Sequence, residues 1–171
     1  MKKKLVYFLI FIVAAIFQLS FMPIVSGGHP SADAVLMAVL AWSVLDGFAA
    51  FLGWAIFFGL FYDLISYATV GVHALIFLAV VYFVSFFSRR FSMEFKGVGL
   101  LLFLAFVVVA TLVSHAIIAS TLAFQMGTLQ GWWKSFGTAG SILIQLASNA
   151  ILFLLCFAVI KKAKQFFAIA V

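Results

Sequence analysis

Gly59-Leu60-Phe61-Tyr62-Asp63-Leu64-Ile65-Ser66, with Gly71 shortly beyond it, decides how this chain is read. The stretch sets a carboxylate at the end of an almost wholly apolar run. The chain has only four acidic residues: Asp33, Asp46, Asp63 and Glu94. An ionisable side chain at the centre of a membrane helix costs about 2.5–3.5 kcal/mol on insertion scales, so Asp63 needs a structural, chemical or partner-related reason.

Lipid is the expected solvent around that stretch. Of the 171 residues, 68% are hydrophobic and 8% are charged; the mean hydropathy is +1.35. No soluble domain of this size conceals so much apolar surface. At about 20 residues per span, the chain has room for five or six helices and no soluble domain. The net charge of +6 does not point to nucleic acid, because the charges are clustered. Lys2, Lys3 and Lys4 precede the first apolar run; Arg89, Arg90 and Lys96 share one polar gap; Lys161, Lys162 and Lys164 follow the last run. Short juxtamembrane clusters of this kind orient a membrane protein. Cys156, the single cysteine, lies inside the last apolar run and reads as a small apolar packer.

Working outward from the motif, the pattern predicts one transmembrane domain over residues 1–171. Its helices fall at about 5–25, 32–45, 48–65, 69–88, 97–123 and 137–160. The first apolar core is too long for a signal peptide, and Pro23 kinks or ends it. The second segment is short: fourteen residues reach about 21 Å against a hydrocarbon core of about 30 Å. It is a short span, a re-entrant or tilted half-helix, or the front of one long helix. Charge parity favours a hairpin turning at Asp46-Gly47. That arrangement puts all three basic clusters on one side, with both termini cytoplasmic. Trp132 and Trp133, beside Lys134, suit an interfacial aromatic belt in the loop before the last helix.

On the third helix Gly59 and Asp63 share a face, and Ala55–Gly59 and Ala49–Gly53 are small-xxx-small pairs that let another helix approach. Asp63 sits at the C-terminal end of its helix, where a carboxylate opposes the macrodipole. It either fixes the turn to Gly71 or contacts a partner. On the last helix Ser141, Gln145, Ser148 and Asn149 lie on one stripe, and Thr111, Ser114 and His115 do much the same on the helix before it. His115, Gln145 and Asn149 are read as interhelical hydrogen-bonding groups, with a small-molecule pocket as the alternative. His29, His73 and His115 lack metal-ligand spacing, so no metal is expected. No nucleophile elbow, Walker loop, paired catalytic carboxylates or Cys/His dyad occurs, so neither an enzyme nor a cofactor is expected.

Phe51 to Phe87, FLGWAIFFGLFYDLISYATVGVHALIFLAVVYFVSFF, resembles the bacterial rod shape-determining membrane protein MreD family. The shared pattern is a glycine-bearing helix, Gly-x-x-x-Asp, a short turn, a glycine and an apolar helix: here Gly53, Gly59, Asp63 and Gly71. His29-Pro30-Ser31-Ala32-Asp33 also resembles the family's Pro-led second segment. The departure is Asp46, where many members carry basic residues, which leaves the inner turn less firmly anchored. The resemblance implies a non-enzymatic scaffold of the cell-elongation complex in the bacterial plasma membrane. It implies MreC as the binding partner, with MreB, RodA and a penicillin-binding transpeptidase in the same complex, membrane lipids around it, and a second copy as a further partner. The family is similar in fold to the S components of energy-coupling-factor vitamin transporters. This implies an S-component-like bundle and supplies the rival function, a substrate-binding S component. A handler of lipid-linked precursors is a third, weaker reading.

Overall fold

Proline in a helix interior removes a backbone bond and crowds the carbonyl four residues back. The first helix meets this at Pro23 by widening ahead of it. α1 (Lys2–Ile16) passes into a π-helical turn over Phe17–Phe21, in which the Met22 N–H bonds the Phe17 carbonyl, and the run continues as α2 (Met22–Ser26). Pro23 therefore neither ends the helix nor breaks it at its own position. The computed structural model describes residues 2–26, 32–66, 69–88, 98–127 and 139–167. The remaining elements are α3 (Ala34–Asp46), α4 (Phe48–Ile65), α5 (Val72–Ser88), α6 (Val98–Met126) and α7 (Ala139–Phe166). Among the described residues there is no strand. The loops holding His29, Arg89 to Lys96, and Trp132 to Lys134 lie outside the described residues.

Among the described residues, three stretches are long and apolar enough to cross a membrane: Leu5–Ile24, Leu101–Met126 and Ile142–Phe166. Three shorter apolar helices, Ala34–Asp46, Ala50–Ile65 and Val72–Phe87, accompany them.

α3 is the axis of the bundle. Its apolar residues lie all round it, and a helix apolar on every side is a buried helix. Ten consecutive residues, Ala34 to Ser43, are buried. Around it the chain alternates in direction. Tyr7 of α1 lies against Trp42 while Gln18 reaches Ala34, so α1 and α3 are antiparallel. Trp42 stacks on Phe51 across the Gly47 turn, where φ is +76°, a left-handed value that glycine adopts without strain. α4 and α5 meet where Gly59 faces Ala74. α5 and α6 meet where Phe83 faces Phe106, and α6 and α7 where Phe103 faces Phe157. The start of α1, the α3–α4 turn, the end of α5 and the end of α7 therefore share one end of the bundle, here termed the basic end.

Lipid tails are as apolar as leucine, so helices in a membrane associate through close packing and hydrogen bonds. The α1–α3–α4 contact is packed with rings. Phe11 and Phe58 stack at 4.1 Å, and Tyr7 meets Trp42 edge-on at 4.2 Å. Such pairs add about 0.5–1.5 kcal/mol each beyond their buried area.

The last helix runs six residues past its expected end at Ile160, and this alters the reading of the basic tail. Lys161 and Lys162 are exposed, but Lys164 is 1% exposed. Its ammonium pairs with the Asp46 carboxylate, which also accepts the Trp42 indole N–H at 3.1 Å. The α3–α4 turn is thus firmly anchored, in contrast to the sequence-based expectation. The acid at position 46 has its own buried cation, and it joins that turn to the end of α7. Breaking a buried pair leaves one charge uncompensated, at about 3–5 kcal/mol. Asp46→Asn or Lys164→Met alone is expected to lower unfolding stability in detergent by that order, and the double variant to lose less than the sum of the two. Additive losses in a double-mutant cycle would show that the pair is not coupled.

Candidate functional site

The corner between α4 and α5 is built from two residues one helical turn apart. Gly59 sets the distance. A Cβ built there falls 2.3 Å from the Ala74 Cα and 2.5 Å from the Ala74 nitrogen, so the two backbones are in contact. One turn on, Asp63 is brought within reach of the first amides of α5. Its Oδ2 accepts the Gly71 N–H at 2.7 Å, and its Oδ1 accepts the His73 N–H at 3.1 Å. Oδ1 also lies 2.6 Å from His73 Nδ1. An ionised carboxylate only accepts, so Nδ1 is the donor whether the imidazole is neutral or charged. The Asp63 side chain is 0% exposed. The His73 ring stands edge-on to Tyr62 at 4.7 Å.

This arrangement resolves the dipole problem. Asp63 is badly placed for its own helix but sits at the N-terminus of the next, where a negative charge is favoured and unbonded N–H groups await acceptors. It caps α5 from across the turn. Gly71 precedes α5 with φ +97°, a value a side chain would strain. The helix begins at Val72, three residues after its expected start at Thr69, because the cap falls on Gly71 and His73. Gly53 differs from Gly59. It is exposed, and a Cβ there meets nothing within 4 Å.

The second polar centre holds the start of α3, deep in the bundle. Asp33 caps the helix, its Oδ1 accepting the Leu36 N–H at 2.9 Å. The Asp33 N–H donates to Asn149 Oδ1 at 2.8 Å, and the Ala34 N–H donates to Gln18 Oε1 at 2.7 Å. Gln18 belongs to the π turn of the first helix. The Asn149 amide donates onward to Thr111 Oγ1 at 2.9 Å, and that hydroxyl donates to the Val107 carbonyl at 2.8 Å. This chain of donors fixes which way the Asn149 amide points. One turn along, His115 Nε2 and Gln145 Oε1 lie 2.6 Å apart. Side chains from α1, α6 and α7 thus join at one buried helix start. His115, Gln145 and Asn149 are brought together as a seam between α6 and α7; Ser114 and Ser148 lie on the same helices, and the Ser141 side chain is outside the described residues. Among the described residues no group of three His, Cys, Asp or Glu side chains gathers in a way that could hold a metal.

Asp33 had a sequence signal: an acidic residue directly before an apolar helix reads as an N-cap. Lys164 had none, because its partner lies 118 residues away.

The model of the rod shape-determining protein MreD family matches residues 1–163. The chain belongs to the MreD family. No curated protein and no solved structure matches it. Membership makes it a protein of rod-shape determination, and its long apolar helices make it a membrane protein. The glycine and aspartate of the family-like stretch are the two residues that build the α4–α5 corner.

The two glycines of α4 separate the close-packing role from simple helix propensity. Gly59→Ala drives a methyl group into the α5 backbone and is expected to cost about 1–3 kcal/mol. Gly53→Ala enters open space and is expected to be neutral or to stabilise by up to about 1 kcal/mol. Denaturant or thermal unfolding in detergent reads both, and equal effects would contradict the assigned contact.

Proposed function

We propose that this chain is a non-enzymatic, multi-pass scaffold of the cell-elongation complex in the bacterial plasma membrane. It crosses the membrane six times, with the basic end and both termini in the cytoplasm. It binds MreC and helps couple MreB filaments to peptidoglycan synthesis by RodA and a penicillin-binding transpeptidase. The observation that carries this reading is the family match along residues 1–163. The clustering of Lys161 and Lys162 with the start of α1 and the end of α5 supports the orientation.

The hydrogen bonding supports a scaffold over a transporter S component. His115, Gln145 and Asn149, the groups a ligand pocket would use, are engaged with one another and with Asp33 and Thr111. Asp63 is spent on the first amides of α5. In this reading Gly59, Asp63 and Gly71 shape the scaffold from within, and Gly53 is the member of the motif on the outer face of α4.

A tagged copy expressed in a rod-shaped bacterium lacking its own MreD tests the proposal. The expected result is recovered rods, MreC captured with the tagged chain, and no small molecule retained in native mass spectrometry. Spherical cells despite normal membrane insertion would overturn it, as would a stoichiometric vitamin-sized ligand together with a bound ATPase module.

A further inference from the structure

The membrane-facing wall made by α4 and α5 is shorter than the long apolar stretches of the first helix, α6 and α7; α3, which is shorter still, is buried at the centre. α4 has 18 residues and α5 has 17. At 1.5 Å per residue these are about 27 Å and 25 Å long, below a hydrocarbon core of about 30 Å, and a typical tilt of about 20° shortens their reach further. The apolar stretch Leu5–Ile24 has 20 residues and Leu101–Met126 has 26. These correspond to about 30 Å and 39 Å. The mismatch is therefore confined to one side of the molecule.

That wall faces outward and is apolar along its length. Phe57, Leu60 and Leu64 of α4, and Leu75, Tyr82 and Phe86 of α5, are 40–65% exposed. Neither helix is free to lengthen. At the basic end α4 starts at Phe48, directly after Gly47, whose neighbour Asp46 is paired with Lys164. At the far end Asp63 is bonded to the first amides of α5. Arg89 and Arg90 follow Ser88 directly in sequence, which bounds the apolar run of α5. Sliding α4 along α5 is blocked by the backbone contact at Gly59. A short, pinned hydrophobic wall leaves the bilayer to adjust, and the adjustment costs a fraction of a kcal/mol per Å.

We infer that the α4–α5 wall thins the bilayer beside it and gathers phospholipids with short acyl chains. The occupant of this face in the isolated protein is lipid, and its selecting property is chain length, not headgroup charge. The inference rests on the membrane reading and is independent of the proposal that the chain binds MreC.

The test uses the full chain in phosphatidylcholine vesicles. A Cys156→Ala background carries one bimane-labelled cysteine, either Leu60→Cys on α4 or Leu112→Cys on the long α6; both native residues are exposed. Brominated eighteen-carbon lipid quenches the label, and unbrominated fourteen-carbon or twenty-two-carbon lipid competes with it. The expected result is that fourteen-carbon lipid relieves quenching about twofold more effectively at position 60 than at position 112. A short-chain preference at position 60 no greater than at position 112, or a preference there for twenty-two-carbon lipid, would overturn the inference. Thermal midpoints of the two labelled proteins confirm that each is folded when it is read.

Discussion

A carboxylate at the end of one helix holds the start of the next, and much of this bundle follows from that bond. Asp63 answers two amides at the beginning of α5 and the His73 imidazole at once. It is fully withdrawn from the surroundings. Each of those bonds engages a charged acceptor, the class worth about 1.5–3 kcal/mol. The reach of the carboxylate depends on Gly59, because the two backbones must touch before a side chain as short as aspartate spans them. Glycine and aspartate four residues apart are thus one device: the first brings the helices together and the second locks their ends.

The same logic recurs twice elsewhere. Asp46, the last residue of α3, ties the α3–α4 turn to Lys164, and Asp33 caps the central helix. All three described acids therefore terminate or join helices. α3 needs such help most. Its first residue, Ala34, is buried in the bundle, and an unanswered buried amide would cost several kcal/mol. Gln18 and Asn149 supply two acceptors from helices on either side. The π turn before Pro23 belongs to this arrangement, since it contains Gln18. A residue that looked like a helix breaker is accommodated by a turn whose side chain supports the core.

How much of this was legible in the sequence depended on separation along the chain. The α4–α5 corner was legible because Gly59 and Asp63 lie one helical turn apart and Gly71 follows Asp63 by eight residues; the contact of Asp63 with His73 was not anticipated. The hairpin at Asp46-Gly47 emerged from charge parity, and the seam of His115, Gln145 and Asn149 from a polar stripe on each of the last two helices. Lys164 was read with Lys161 and Lys162 as one juxtamembrane cluster, because a buried lysine and an exposed one look alike in sequence. Only its distant partner distinguishes it. The bond from Asp33 to Asn149, 116 residues apart, was hidden for the same reason. The widened turn at Phe17–Phe21 was missed because proline reports a disturbance in a helix without specifying its form.

A scaffold acts through a fixed shape, and here the shape rests on the junction between α4 and α5. Amide hydrogen exchange at Gly71 and His73 interrogates that junction directly, in purified protein with and without Asp63→Ala. The wild-type amides are predicted to be protected. Loss of the carboxylate should speed their exchange by about tenfold to a hundredfold while amides in the middle of α5 keep their rates. Unchanged exchange at both positions would contradict the claim that Asp63 holds the bundle at this corner.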